Sequence, residues 1–347
     1  MTIKKHAQLA GGTMESRASC VGLWSGLLSV TLACWPSVTQ GQTAPNKAAR
    51  ESNQFGLSLD TAGLPESRAV EPHEYEIHVD ITIQQEEVDQ VARASYRLDL
   101  ECAPPSGDDG AAVRYRCREF SVLEDGEPVA HIPSLTNWDY EFAYPTADVA
   151  PGGNVFGLPN DRFTGLIDSN GKLIGPQNDF LVYNAFTDYH VLCNVYAQPM
   201  PDGPGIQDLR RIGDEILHGT SAAEAPLGNV PGLSEGSTFV HGDVRLIWKG
   251  ISRVHDRVCA IVGFATTDNH YKMIIEPAPN FTVVTEGKSR HAGDLYIDLE
   301  SGWVLRAEMS ETVVSWMDIN GDASGPSVMH RSLTLNGCPV ERMETTP

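Results

Sequence analysis

Apolar and polar residues alternate at every second position through much of this chain of 347 residues. Residues 75–83 show the pattern most clearly, with apolar side chains at the odd positions and polar ones between them. Successive side chains of a β-strand point to opposite faces, so the alternation predicts a strand with one buried and one solvated face. The pattern returns in residues 294–299 and 303–317, on either side of a turn at residues 300–302.

Further segments share this strand character and are separated by turn-forming residues. They are residues 92–101, 113–123, 237–249, 254–265, 271–276, 281–286 and 328–335. Consecutive strands joined by short turns pair antiparallel, and a large sheet must curl or close to protect its edges. The chain is therefore predicted to be mainly β in the α+β class, with one or more curled antiparallel sheets, or a half-barrel, around one central helix.

Residues 178–196 supply that helix. The segment contains no Gly or Pro and is dense in aromatic and aliphatic residues. It begins with Asn178 and Asp179, residue types that are favoured at helix N-caps. We predict a buried helix here, with a pair of strands as the alternative.

Composition divides the chain into five parts. Residues 1–42 are predicted to be a signal peptide, and residues 43–72 a flexible polar lead-in. Residues 73–176 form an N-terminal β-rich region. Residues 177–340 hold the helix and a C-terminal antiparallel sheet, and residues 341–347 form a tail.

The signal peptide is predicted from charge and hydropathy. Lys4, Lys5 and Arg17 precede an apolar stretch at residues 21–35, which is the pattern of a secretory signal. The stretch is shorter than the ~20 apolar residues that span a bilayer. We therefore predict export to the periplasm or the extracellular space, with no transmembrane span in the mature protein. Lipid anchoring at Cys34 is the alternative.

The charge balance restricts the partners. The chain has 25 Lys and Arg against 46 Asp and Glu, a formal net charge of -21. A field of this sign repels polyanions, so nucleic acid and anionic membrane surfaces are excluded as main partners.

Cysteine pairing is expected in an oxidising compartment. Cys102 ends one predicted strand and Cys117 lies within the next, across a loop rich in Pro, Gly and Asp. We predict a disulfide between them. The states of Cys193, Cys259 and Cys338 stay open, although Cys259 lies in an apolar strand and is predicted to be buried.

Two features bear on hydrolase activity. Residues 232–236 match the G-x-S-x-G pattern of a nucleophile elbow, with Ser234 as the nucleophile. The elbow requires a helix after the serine, and here a predicted strand follows. Glu308 and Glu311 are also acids on one strand, but they lie on its opposite faces and cannot act as a facing pair.

Metal sites are not predicted. Residues 318–322 resemble the opening of a calcium loop, but Ala323 and Met329 stand where that loop needs Gly and a bidentate Glu. A polar turn is the better interpretation. Zinc is not indicated either, because no HExxH or CxxC motif groups the histidines. Those on predicted strands or turns are His241, His255, His270, His291 and His330.

Residues 293–304, with the sequence GDLYIDLESGWV, resemble a segment of uncharacterised exported bacterial β-rich proteins. Their acid-x-x-Gly turn before an apolar strand is similar to one in the periplasmic lipoprotein-carrier superfamily. The resemblance implies a curled antiparallel sheet with helices on its concave side, a fold that holds acyl chains. It transfers no functional residue.

The sequence therefore predicts an exported, non-enzymatic protein that binds a hydrophobic small molecule or a component of the cell envelope. No catalytic residue, cofactor or metal ligand is assigned. A secreted hydrolase of unknown substrate is the alternative.

Overall fold

A computed structural model describes most of the chain after residue 62. The described residues are 63–85, 90–103, 113–143, 155–200, 202–226, 232–323 and 325–340. The predicted signal peptide, Cys34 and residues 43–62 of the lead-in lie outside them. No helix in the described ranges is long and apolar enough to cross a membrane.

Strands dominate the described residues. They are β1 (His73–Gln85), β2 (Gln90–Ala103), β3 (Arg114–Glu124), β4 (Glu127–His131), β5 (Trp138–Glu141), β6 (Glu215–Leu217), β7 (Glu224–Pro226), β8 (Thr238–Val240), β9 (Asp243–Val254), β10 (Arg257–Thr267), β11 (Asn269–Ala278), β12 (Phe281–Asp298), β13 (Val304–Ile319), β14 (Asp322–Ala323) and β15 (Ser327–Pro339). Within these ranges one α-helix is present, α1 (Pro176–His190), and it continues directly into a π-helix, Val191–Tyr196. Three short 3-10 helices span Pro133–Leu135, Asn160–Phe163 and Ile206–Asp208.

The strands form a single antiparallel sheet. Its main path runs β4-β3-β2-β1-β15-β13-β12-β10-β9-β6, and its two ends do not pair with each other. Strand β12 is long enough to pair with β10 along one half and with β11 along the other. Strand β11 then carries β8 and β7 as a side branch. The predicted fold class, a mainly β antiparallel sheet with one central helix, is confirmed.

The first and last strands of the described residues are neighbours. Strand β1 pairs with β15 along its whole length, from His73 opposite Pro339 to Gln85 opposite Ser327. The regions predicted as 73–176 and 177–340 therefore contribute to the same sheet. In β1 the odd positions are buried, as the alternation predicts, and Ile77 is completely inaccessible.

Helix α1 lies against the sheet and is buried on several sides. Pro176 occupies the first turn, where its missing N–H costs nothing. The Asp179 carboxylate accepts hydrogen bonds from the backbone of Gly165 at 2.8 Å and Leu166 at 3.1 Å, which ties the preceding loop to the helix. The predicted helix is confirmed, and its last turn is π-helical.

Residues 63–72, which we call the strap, are not a free lead-in. The Ala69 N–H donates to the Ser301 carbonyl at 2.7 Å, and the Trp303 indole donates to the Ala69 carbonyl at 3.0 Å. The described part of the predicted flexible segment is thus attached to the turn between β12 and β13.

The β12–β13 contact leaves no room for a side chain at Gly293. A Cβ there would overlap the carbonyl oxygen of Glu308 and lie 2.7 Å from the Phe264 ring. We predict that Gly293→Ala lowers the free energy of unfolding by about 1–3 kcal/mol, because the strands must separate. The matched control is Gly250→Ala on β9, where nothing lies within 4 Å. Urea unfolding measures both, and equal losses in the two variants would contradict the prediction.

Candidate functional site

Polar side chains converge in the interior where α1 becomes a π-helix. Single π-helical turns are frequent at functional sites because they redirect side chains out of the normal helical register. Here Asn194 and Tyr196 point to two separate groups of polar residues. Both groups lie between the helix and the sheet.

The first group, the Arg331 cluster, consists of Asp188, Tyr196, His291, Glu311 and Arg331. In the strand register Glu311 lies between His291 on β12 and Arg331 on β15. Arg331 Nε donates to Glu311 Oε2 at 2.9 Å. Its Nη1 and Nη2 donate to the two Asp188 oxygens at 2.6 and 3.2 Å, so α1 is joined to the sheet by a bidentate ion pair. The Tyr196 hydroxyl and His291 Nε2 hydrogen-bond at 3.3 Å.

The Arg331 cluster holds more negative than positive charge. Glu311 and Arg331 are each only 8% exposed, and two carboxylates face one guanidinium. Burial raises the pKa of Asp188 to about 6; Arg331 opposes this shift and the charge of Glu311 adds to it. Burial by itself lowers the pKa of Arg331, but the two carboxylates more than offset it and leave this pKa above its usual value.

The histidine of this cluster is neutral. Burial lowers the pKa of His291 to about 4, although the charge of Glu311 opposes the shift. His218, whose ring lies edge-on to Tyr196 at 5.5 Å between centroids, has a pKa lowered to about 4 for the same reason. His291 and His218 therefore make this interior polar but carry no positive charge at neutral pH.

The second group, the Asn194 cluster, is a chain of hydrogen bonds through Arg68, Asn194, His190 and Tyr140. Arg68 Nη1 donates to Asn194 Oδ1 at 2.7 Å, and Asn194 Nδ2 donates to His190 Nδ1 at 2.7 Å. Burial, followed by the charge of Arg68, lowers the pKa of His190 to about 3, so its ring is neutral. The network then assigns the proton to Nε2, which donates to the Tyr140 hydroxyl at 3.0 Å.

Three tyrosine hydroxyls in the same interior have no hydrogen-bond partner among the described residues. They belong to Tyr75, Tyr183 and Tyr189. Tyr75 on β1 and Tyr189 on α1 lie edge-on, with ring centroids 5.0 Å apart. Buried polar groups are nearly always satisfied in native proteins, so unpaired ones call for an explanation.

The predicted disulfide is not formed in the structure. Cys102 and Cys117 are both buried free thiols. Cys102 faces Tyr115 across the β2–β3 ladder and Cys117 faces Leu100, so the cysteines are offset along the ladder instead of opposed. A bridge would need one strand to shift, and the pairing remains a prediction that the structure does not contain. Three other cysteines are also free thiols: Cys193, Cys259 and Cys338.

Ser234 lies in the turn before β8. Its backbone N–H donates to the Ile274 carbonyl at 2.7 Å, and its own carbonyl accepts from Ser237 Oγ at 2.8 Å. The chain then enters a strand, as the sequence predicts. A nucleophile elbow turns from a strand into a helix, so Ser234 does not occupy one.

The acids of β13 take different roles. Glu308 pairs with Arg306 on the outer face, while Glu311 points inward to Arg331. The two lie on opposite faces, as the alternation predicts. Asp318 Oδ1 accepts from the Gly321 N–H at 2.6 Å in the turn between β13 and β14, which agrees with a polar turn.

Of the histidines considered as zinc ligands, His291 lies in the Arg331 cluster and His241 packs edge-on to Phe239 at 4.8 Å. His255 sits in the turn between β9 and β10, with a positive φ of 48°. Within the described ranges, no three His, Cys, Asp or Glu side chains are arranged to bind a metal.

Sequence reasoning missed Asp188, Arg331, Asn194 and Arg68. The sequence does indicate that Arg331 is buried. It lies between Met329 and Leu333, at a position where the alternation of β15 predicts an apolar, inward-facing residue. A charge at such a position must find a buried partner. Which partner it finds depends on strand register and on the direction of α1.

No known protein family matches the sequence, and no curated protein matches it. Among solved structures, a DUF1329 family protein from Desulfovibrio piger is 10% identical, with 83% of this chain and 89% of that chain covered and a TM-score of 0.17. A LolA superfamily protein from Nitrosomonas europaea is 7% identical, with 80% and 89% covered and a TM-score of 0.12. The chain is weakly similar to both, and likenesses at these scores support no argument about function.

The raised pKa of Asp188 predicts a pH-dependent stability. A carboxyl whose pKa is higher in the folded state stabilises the fold when protonated, and the benefit is lost as pH rises through the folded value of about 6. Lowering the pH from 7 to 5 should therefore stabilise wild type relative to Asp188→Asn by about 1 kcal/mol.

Urea unfolding at both pH values measures this difference. The control is Asp256→Asn, which changes an exposed carboxylate in the β9–β10 turn and should follow wild type. The difference in the free energy of unfolding between wild type and Asp188→Asn should shift in favour of wild type as the pH falls from 7 to 5. An unchanged difference would contradict the raised pKa of Asp188.

Proposed function

We propose that this protein is an exported, non-enzymatic binding protein that takes an apolar ligand with a hydrogen-bonding group between α1 and the sheet. The observation that carries the proposal is the set of unpaired hydroxyls of Tyr75, Tyr183 and Tyr189 within an apolar interior. Each unpaired buried hydroxyl costs about 1–3 kcal/mol. A ligand that supplies polar atoms to them recovers this cost on binding.

The surroundings of these hydroxyls favour an apolar ligand body. Phe186 and Val182 on α1 are completely buried, and so are Leu100 and Phe120 on the facing strands. Such side chains exclude water, so the apolar part of a ligand gains free energy when it leaves water for these surroundings. A ligand with an apolar chain and one polar end therefore matches both features.

The interior histidines favour binding over catalysis. Burial lowers the pKa of His190 to about 3 and that of His291 to about 4. A general acid or base works best with a pKa near the operating pH. These rings therefore serve as hydrogen-bonding groups, and the basic N-terminus followed by an apolar stretch supports delivery of the protein outside the cytoplasm.

The direct test is to extract the purified folded protein with organic solvent and analyse the extract by mass spectrometry. The binding of anilinonaphthalene sulfonate, and its displacement by oleic acid, is measured on the same preparation. We expect a co-purifying amphiphile, or a saturable dye signal that oleic acid reverses. The proposal is refuted if the extract contains no amphiphile and the folded protein also fails to bind the dye.

The tyrosine hydroxyls are tested by Tyr75→Phe and Tyr189→Phe. Each should weaken oleic acid binding about fivefold, the effect of one hydrogen bond of about 1 kcal/mol. Each should leave the free energy of unfolding equal or higher, because an unpaired buried hydroxyl is removed. The control is Tyr296→Phe, whose ring lies under Arg306 away from the interior. Unchanged affinity in both interior variants would count against these contacts.

A further inference from the structure

Much of the strap lies on the surface, held by hydrogen bonds of the Ala69 backbone and by the side chain of Arg68. Val70 is 71% exposed, and Gly63, Glu66 and Ser67 are also exposed. A segment with few buried contacts opens at low free-energy cost. Arg68 differs from its neighbours, because its side chain turns inward toward the end of the π-helix.

The inward side chain of Arg68 meets several acceptors and an aromatic face. Nη1 donates to Asn194 Oδ1 at 2.7 Å, and Nη2 donates to the Cys193 carbonyl. The guanidinium carbon lies 4.5 Å from the centroid of the Trp303 ring. The Gln198 amide lies against the same guanidinium, and with its oxygen oriented toward Arg68 it accepts from Nε, Nη1 and Nη2.

These acceptors suit a guanidinium group in particular. The cation stacks on an indole face while planar N–H groups point to oxygens around its edge, which an ammonium cannot reproduce. Asn194 and Trp303 are only 6% and 3% exposed, so the pocket walls are fixed by the core. The Cys193 carbonyl belongs to the last helical turn, where the negative end of the helix dipole attracts a cation.

We propose that Trp303, Cys193, Asn194 and Gln198 form a guanidinium-binding pocket that the chain fills with its own Arg68, so that the strap is a latch on the interior. With Arg68 seated, the chain of hydrogen bonds through Asn194 and His190 holds the end of α1 against the sheet. With Arg68 withdrawn, Asn194 loses its charged donor and this end of α1 loosens, which opens a route to the interior. The second step rests on the proposed function, whereas the pocket itself does not.

Hydrogen exchange tests the latch without any ligand. In Arg68→Ala, amides of residues 189–197 should exchange about tenfold faster than in wild type, the effect of losing about 1.4 kcal/mol of hydrogen bonding. The control is Arg306→Ala, which removes the same charge from an exposed arginine stacked on Tyr296. It should leave exchange in residues 189–197 unchanged.

Chemical rescue tests the pocket. Guanidinium chloride at non-denaturing, tens-of-millimolar concentration should restore slow exchange in Arg68→Ala, whereas equal sodium chloride should not. If guanidinium chloride slows exchange in Arg68→Ala no more than sodium chloride does, the proposed guanidinium-binding pocket is wrong. Arg68→Lys keeps the charge but not the planar fork, and should also exchange faster than wild type. If Arg68→Ala does not fold, the exchange rates of Arg68→Lys serve as the test. Exchange in residues 189–197 as slow as in wild type would then overturn the latch.

Dye binding separates the latch from the proposed function. Arg68→Ala should bind anilinonaphthalene sulfonate with an association rate several-fold above wild type. Faster exchange in Arg68→Ala, with neither dye binding nor an extracted amphiphile from either protein, supports the latch and overturns the proposed function. Dye binding with unchanged exchange and unchanged association rate supports the function and overturns the latch.

Discussion

Helix α1 carries apolar side chains on too many sides to rest on a surface, and this constraint organises the molecule. A helix of this kind must be enclosed. When the helix is buried, its polar residues are buried too, so each of them needs a hydrogen-bond or ion-pair partner inside the protein. Asp188 finds Arg331 on the sheet, and His190 finds Tyr140 and Asn194. The interior networks are therefore consequences of burying the helix, and they fix its rotation and depth.

The two polar groups at the end of α1 differ in charge. The Arg331 cluster holds one more carboxylate than guanidinium, whereas Arg68 is held by amide and carbonyl oxygens and an indole ring. Charges of opposite sign are thus stabilised on either side of one π-helical turn. Since buried ionic groups need nearly complete satisfaction, small displacements of this turn affect both groups together.

The strands could be predicted from sequence because alternation reports directly on which face is buried. Residues 75–83 and 303–317 show it, and both segments lie within β1 and β13 as found. The helix could be predicted for a similar reason, since a long apolar segment without Gly or Pro suits few other structures. The sequence pattern was therefore sufficient to predict elements whose conformation depends on residues close together in the chain.

Pattern was insufficient where the structure depends on register or on single contacts. Cys102 and Cys117 are close in sequence, but the ladder offsets them by two residues. The composition of residues 63–72 resembles a free linker, and their order comes from Arg68 and from the indole of Trp303. Arg331 and Glu311 are 20 residues apart in neighbouring strands, and only the β13–β15 register sets them side by side.

The pairing of β1 with β15 has a consequence for how the chain comes to be folded. Strand β2 covers one edge of β1, but the other edge has no neighbour until residues 327–339 arrive. During synthesis, nearly the entire chain must be made before its first strand is complete. Contacts this distant in sequence form slowly and leave an unpaired edge open to wrong partners meanwhile. The molecule therefore depends on being kept apart from its own copies until its last strand is in place.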